Sequence, residues 1–231
     1  MDKINHHNKS QYINLEQWKY TNINNFKSFN SNFIPKNNPL NKVCKDYEVI
    51  MYNGCLYKYG NKIKNKKILI YNISEAVNNN VNNCKKIFNS ILPQKQDIYL
   101  NHNTSNYNFG YYIYIPDNLK NDETIIIKNI IDQGSQSSFL NYRNLVHCGK
   151  NVETKILNEE IFLIDQCINI AFETYINKNS NLEIINHCEK PATTQIYNFS
   201  ASINNNSNLN YHAFDISGNL LKNNYYINLN Q

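Results

Sequence analysis

The pattern of apolar and polar residues differs between the two halves of this chain. From Gly110 onward, apolar side chains recur at about every second position, which is typical of β-strands with one buried face. Earlier in the chain, two strand-like runs flank Asn53-Gly54, a dipeptide that favours a tight hairpin turn. The run KKILIYNI, residues 66–73, predicts a further strand. The pattern therefore predicts a mainly β protein.

Helical spacing is confined to the first part of the chain. Residues 10–30 predict helix and turn, with Leu15, Trp18 and Ile23 on one apolar side, and the segment 32–40 contains two prolines typical of a linker. A second helix is predicted from Ser74, a possible N-terminal cap, to Pro93. Its apolar residues at helical spacing are Val77, Val81, Cys84, Ile87, Phe88 and Ile91.

The most informative pattern is a repeat between residues 144 and 217. The stretches NLVHCGKNVETKI, FETYINKNSNLEI and FSASINNNSNLNY align without gaps, and Asn151, Asn179 and Asn206 correspond. Two further sets of equivalent positions are apolar: Cys148, Ile176 and Ile203, and Ile156, Ile184 and Tyr211. Units of strand, short polar turn and strand, repeated within 20 to 50 residues, are typical of stacked architectures.

We therefore predict a right-handed parallel β-helix of stacked turns, preceded by a small α-helical or mixed N-terminal region. Residues 1–93 form that N-terminal region with the Asn-Gly hairpin, and residues 94–231 form the β-helix core. Asparagine suits a left-handed corner and can form hydrogen-bonded ladders between turns. The alternative is a β-sandwich whose strands are similar by accident.

Composition narrows the possible partners. Hydrophobic residues make up 41% and charged residues 18% of the chain, and asparagine fills roughly a fifth of it. The net charge of +5 comes from scattered lysines, without the one-sided cluster that nucleic-acid binding needs. No apolar run reaches the ~18 residues of a membrane helix, and the N-terminus lacks the apolar region of a secretory signal. We expect a cytoplasmic protein, or one of a plastid stroma, that binds neither nucleic acid nor membrane.

Candidate chemistry is sparse. The six cysteines show no metal-finger spacing and are expected to be reduced thiols. His147-Cys148 and His187-Cys188 could offer ligands to an iron–sulfur cluster. Adjacent strand residues point to opposite faces, however, so we expect buried thiols and surface imidazoles. His6-His7 could bind metal weakly.

Three acidic residues, Asp132, Asp165 and Asp215, fall in different turns of the predicted β-helix without a carboxylate partner at a fixed offset. Convergent carboxylates are what sugar-cleaving enzymes need. No glycine-rich phosphate loop is present either. The sequence therefore assigns no catalytic, cofactor-binding or metal residue, and we expect a protein that is not an enzyme.

Five segments, in order along the chain, carry a family resemblance. LEQWKYTNI, residues 15–23, is similar to the E-x-W-K-Y-T segment of SufD, within the SufB/SufD family, and VIMYNGCLYKYG to the strand and turn that follow it. GYYIYIP resembles the start of the family's core, and SFLNYRNLVHCGKNVETKI its SF-x-N-x-R-N and G-x-N elements. SGNLLKNNYYINLN resembles GG-x-L-x-R-N, with Ser217 in place of glycine and Lys222 in place of arginine.

The resemblance implies a non-catalytic scaffold subunit in iron–sulfur cluster assembly, with a SufB-like protein and a SufC-like ATPase as partners. It implies that the complex assembles the cluster transiently and that this chain binds no cofactor of its own. SufD-like proteins continue beyond the segment that ends this chain, so the C-terminal part of the β-helix is expected to be missing. The alternatives are a β-helical carbohydrate-active enzyme or adhesin, and an inactive truncated remnant.

Overall fold

The computed structural model describes residues 43–92, 97–107, 109–132, 139–163, 167–190, 194–216 and 220–230. Its strands are β1 (Glu48–Tyr52), β2 (Cys55–Tyr59), β3 (Leu69–Asn72), β4 (Tyr111–Ile115), β5 (Lys120–Ile131), β6 (Phe139–Cys148), β7 (Glu153–Phe162), β8 (Cys167–Ile176), β9 (Asn181–Lys190), β10 (Thr194–Ile203), β11 (Asn208–Asp215) and β12 (Leu220–Leu229). Its helices are α1 (Asn61–Asn65), α2 (Ile73–Asn78), α3 (Cys84–Ile87) and α4 (Ile98–Asn106), with a 3-10 turn at Val81–Asn83.

The strands form two six-stranded sheets. Sheet 1 has the order β11-β9-β7-β5-β1-β2, and sheet 2 has the order β12-β10-β8-β6-β4-β3. Successive turns of the chain add one strand to each sheet, and the strands of neighbouring turns pair in parallel. This arrangement is a parallel β-helix with a few short helices near its start, as predicted, and it excludes the β-sandwich.

The β-helix begins with two antiparallel pairs. Strands β1 and β2 form the predicted hairpin, with Asn53 and Gly54 at φ angles of 47° and 81° in the turn. A side chain at Gly54 would collide with Phe109, since a Cβ there would lie 2.4 Å from that residue. Strand β1 also pairs in parallel with β5, and β3 pairs with β4. The hairpin region is therefore hydrogen-bonded directly to the β-helix.

An asparagine lies at the same corner of each turn. Asn118, Asn151, Asn179 and Asn206 all have left-handed φ angles between 55° and 62°, a region that asparagine tolerates better than most residues. The side-chain amides of the last three each donate to the amide oxygen of the asparagine one turn before, with N–O distances of 2.9, 3.2 and 3.3 Å. The predicted asparagine column is confirmed, and it contains one residue more than the repeat showed.

The interior of the β-helix is filled by columns of apolar side chains. Cys148, Ile176 and Ile203 are paired in register between neighbouring turns, and so are Ile156, Ile184 and Tyr211. Both predicted columns are therefore confirmed. Ile115 and Ile125 extend them by one turn towards the N-terminus. These residues belong to one continuous buried core.

The helical segments differ from the prediction. The predicted helix from Ser74 is broken, because Asn80, Asn82 and Asn83 adopt left-handed φ angles that end one helical piece and begin the next. Helix α2 begins at Ile73, before Ser74, so Ser74 is not the cap. Helix α4 is not predicted by the pattern. It begins after Asp97, whose carboxylate accepts hydrogen bonds from the first-turn backbone N–H groups at 2.8 and 2.9 Å.

Several predicted features lie outside the described residues. They are the helix and turn of residues 10–30 with Trp18, the linker at 32–40, His6-His7, Pro93 and Asp165.

A fully buried ion pair attaches the helical region to the outer face of sheet 2. The guanidinium of Arg143 on β6 lies 2.8 Å from the carboxylate of Glu173 on β8, and both side chains are inaccessible to solvent. The same carboxylate accepts a hydrogen bond from the backbone N–H of Asn89 at 3.1 Å. Arg143 also lies over the ring of Phe88, 4.8 Å from its centroid. The pair therefore joins two turns of the β-helix to the segment after α3.

We expect Asn179→Ala to lower the free energy of unfolding by about 1 kcal/mol or more, because alanine disfavours the left-handed region and cannot join the amide ladder. Asn179→Gly should cost less, because glycine accepts the backbone conformation. Urea denaturation followed by circular dichroism measures both. Lys178→Ala, at the exposed neighbouring position, is the control. Equal losses for Lys178→Ala and Asn179→Ala would contradict a structural role for the column.

We expect Glu173→Gln to destabilise the protein by about 3 kcal/mol or more, because it leaves the Arg143 charge buried without its counter-ion. Combining it with Arg143→Met should recover part of that loss, since the unpaired charge is then gone. Denaturant midpoints of the four proteins give the coupling energy. The matched control is Glu183→Gln, which removes the partly exposed pair with Lys155 and should cost less than about 1 kcal/mol. Similar losses for both glutamates would show that burial of the pair is unimportant.

Candidate functional site: the interior polar column and the final turn

The histidine–cysteine pairs are split between the two faces of their sheets, as predicted. Cys148 and Cys188 are buried in the core of the β-helix, and burial raises the pKa of Cys148 to about 12 and also raises that of Cys188. Both thiols are therefore protonated at neutral pH, whereas a nucleophile or metal ligand would be a thiolate. His187 is partly buried.

His147 is not the surface imidazole that the sequence predicts. It is buried on the outer face of sheet 2, with its ring centroid 4.9 Å from that of Tyr114 and 5.6 Å from that of Tyr175. The hydroxyl of Tyr112 lies 3.1 Å from its Nδ1 atom. Burial lowers the pKa of His147 to about 4, so the ring is neutral. Strand alternation predicts correctly that His147 lies on the outer face of sheet 2. The tyrosines of neighbouring strands, however, cover its ring.

The described acidic candidates lie in separate places. Asp132 follows β5 and accepts hydrogen bonds from the hydroxyl of Tyr52 and from Nδ2 of Asn53, the latter at 2.9 Å. Asp215 ends β11, three strands further along sheet 1, and accepts a hydrogen bond from Nδ2 of Asn223 at 2.8 Å. The structure does not bring these two carboxylates together.

A column of polar residues runs through the interior of the β-helix. Asn129, Glu160, Cys188 and Asp215 are in register on four successive strands of sheet 1, and we call them the interior polar column. Beside it, amide side chains form a buried chain: Asn129 donates to Asn158 at 2.9 Å, and Asn158 donates to Asn186 at 2.6 Å. The sequence analysis missed this chain, although Asn158 and Asn186 occupy equivalent places in the repeat.

Glu160 is a carboxyl group of the column whose pKa departs far from its ordinary value. It is buried, and its Oε1 atom accepts a hydrogen bond from Asn158 at 3.2 Å. Its Oε2 atom has no hydrogen-bond partner within the described part of the chain. Burial, followed by the negative charge of Asp215, raises the pKa of Glu160 to about 8. The group is therefore mostly protonated at neutral pH, which avoids a buried unpaired charge.

The final turn, which consists of β11 and β12, leaves part of the interior uncovered. Tyr225, Ile227 and Leu229 on β12 are 47%, 49% and 75% exposed. They continue the columns of Phe199, Ala201 and Ile203 on β10, which are buried. On β11, the interior-facing Leu209 and Tyr211 are only partly buried. The final turn therefore presents apolar side chains at one end of the β-helix.

Each sheet also ends there with a strand that is paired on one side. Within the described residues, β11 is hydrogen-bonded to β9 alone and β12 to β10 alone. Their other backbone edges carry N–H and C=O groups that can pair with a further strand. The final turn therefore combines an apolar end surface with two open sheet edges, which together can bind another β-structure.

The described residues contain no group of three or more histidine, cysteine, aspartate and glutamate side chains placed to hold a metal ion. No helix among them has the length and apolar character needed to cross a membrane.

We expect the free energy of unfolding to fall by about 2 kcal/mol between pH 6.5 and pH 8.5, because the unfolded chain releases the Glu160 proton near pH 4.5 and the folded chain releases it near pH 8. His147, whose pKa is lowered to about 4 by folding, still titrates near pH 6.5 in the unfolded chain and offsets only about 0.4 kcal/mol of this decrease. Glu160→Gln should remove most of the decrease. Urea denaturation at the two pH values measures it, with Glu159→Gln on the opposite face of β7 as the control. The same pH dependence in Glu160→Gln as in the native chain would disprove the assignment.

No protein-family model matches this chain, and neither the search of curated proteins nor that of solved structures gives a match.

Proposed function

We propose that this chain is a non-catalytic scaffold subunit of an iron–sulfur cluster assembly complex, similar to SufD. Its partners in this proposal are a SufB-like protein and a SufC-like ATPase, and its location is the cytoplasm or a plastid stroma. The ATPase activity belongs to the SufC-like partner, and the cluster is a product that the complex assembles transiently. The five motifs in SufD order and the parallel β-helix both support this proposal.

The observation that carries the proposal is the exposed final turn. The apolar columns are buried at β10 but exposed at β12. There, Tyr225, Ile227 and Leu229 are partly or largely accessible to solvent. Contiguous apolar surface of this kind marks interaction sites in soluble proteins. Further β-helical turns, either of a longer chain or of a partner, could cover these side chains and, at the same time, pair with the open edges of β11 and β12.

The buried cysteines fit a scaffold better than a carrier of the cluster. Cys148 and Cys188 lie inside the β-helix as protonated thiols, whereas clusters are bound by thiolates. In this proposal the chain contributes a rigid surface that orients its partners. Rigidity follows from the continuous pairing of strands in both sheets and from the asparagine ladder at the corner.

The test is co-expression of the tagged chain with the SufB-like and SufC-like proteins of the same organism. We expect the three proteins to elute together in size-exclusion chromatography. Tyr225→Asp combined with Ile227→Asp should abolish the complex, because two carboxylates at the apolar contact would lose their hydration. Circular dichroism and denaturation establish that the variant is folded.

The control variant is Tyr57→Asp combined with Tyr59→Asp, at exposed positions of β2, the strand at the opposite edge of sheet 1. It should leave the complex intact. Absence of a complex with the native chain would refute the proposed function. Equal loss of the complex in both variants would refute the role of the final turn.

A further inference from the structure

An irregularity in β5 alters the outer face of sheet 1. Lys120 pairs with Glu153 and Thr124 with Lys155, so β5 has four residues where β7 has two. The extra residues form a bulge, and Nδ2 of Asn121 donates a hydrogen bond to the backbone oxygen of Glu123 within it. Bulges of this kind commonly redirect side chains beside functional sites.

The bulge borders an open groove of about 540 Å³. This volume lies within the range of about 300 to 1,000 Å³ that is typical of small-molecule sites. The groove crosses the first residues of β7, β9 and β11, and it therefore spans three successive turns of the β-helix. Its lining residues are Asn121, Asp122, Glu153, Lys155, Asn181 and Glu183, together with neighbours on the same strands.

The groove is negatively charged, although the chain as a whole carries a net charge of +5. Three carboxylates, those of Asp122, Glu153 and Glu183, line it together with a single ammonium group, that of Lys155. The ammonium lies 3.0 Å from the carboxylate of Glu183. The excess negative charge therefore lies at Asp122 and Glu153, beside the bulge.

Hydrogen-bond acceptors are also in excess at the bulge. Asn121 is 5% exposed, and its Oδ1 atom has no hydrogen-bond partner among the described residues. A buried amide oxygen without a partner is costly and usually indicates a missing donor. The unpaired amide oxygen is independent of the charges, and the partner it lacks is a hydrogen-bond donor.

We propose that this groove binds a linear polyamine. Each ammonium group of a polyamine carries positive charge and donates hydrogen bonds without accepting any, which complements the carboxylates of Asp122 and Glu153 and the amide oxygen of Asn121. Neighbouring turns are about 4.8 Å apart, so a flexible chain of amines lying across them can meet a new row of polar side chains at each turn.

The lining disfavours other small ligands. The described lining residues include no aromatic side chain, and an aromatic face is what commonly stacks against a sugar ring or a nucleobase. The excess of carboxylates repels phosphates and other anions. A flexible organic cation remains the class that fits both the charge and the hydrogen-bonding groups of the groove.

The test is isothermal titration calorimetry of spermidine into the purified chain at low ionic strength. We expect saturable binding to one site, weakened severalfold at about 200 mM salt because the attraction is electrostatic. Asp122→Asn combined with Glu153→Gln should weaken binding about tenfold or more, since it removes both unpaired carboxylates while preserving the shape of the groove.

Asp46→Asn combined with Glu75→Gln is the matched control. These carboxylates are exposed, lie outside the groove and give the same change in net charge, so binding should be unchanged. Lack of saturable binding to the native chain would overturn the proposal. So would an equal loss of affinity in the two double variants, which would indicate general attraction to the protein surface. The isolated chain is sufficient for this experiment, so its outcome is independent of complex formation.

Discussion

The whole β-helix depends on the corner where each turn reverses direction. The backbone there enters the left-handed region at Asn118, Asn151, Asn179 and Asn206, and the side chain of each asparagine is hydrogen-bonded to the one before it. Because these corners are superimposed, the strands that follow begin in register. Register in turn decides which side chains enter the core, since a slip of one residue would invert every strand.

Polar groups are placed on both sides of this framework. Outside sheet 2, Arg143 and Glu173 neutralise each other in a site that is closed by the helical segments. Inside the β-helix, the amides of Asn129, Asn158 and Asn186 satisfy one another. Glu160 instead retains its proton. The protein therefore handles buried polarity in three ways: ion pairing, an amide chain and protonation.

The fold was predictable from sequence because its signals are local and repeated. The spacing between Asn151, Asn179 and Asn206 predicts where each turn has its corner. The apolar positions on either side predict the columns of the core. Asn118 was missed because the bulge in β5 changes the length of its turn. The breaks at Asn80, Asn82 and Asn83 were missed because asparagine is abundant throughout the chain, which hides its conformational meaning.

The candidate site was less predictable, because it depends on contacts between distant residues. Strand alternation placed Cys148 inside and His147 outside, but it could not show that tyrosines from other strands bury the imidazole. Likewise, Tyr225 and Ile227 are exposed because no described strand packs against them. Their sequence resembles that of the buried strands, so the apolar pattern alone predicts the same environment for both.

One consequence of the stacked architecture concerns how the molecule opens. Each interior turn is held by neighbours on two sides, whereas β11 and β12 have one neighbour each among the described strands. In such linear arrays, stability is roughly the sum of contributions from adjacent units. The described turns are therefore expected to open one coil at a time from an end of the stack and not from its middle, so backbone protection should vary along the axis of the β-helix.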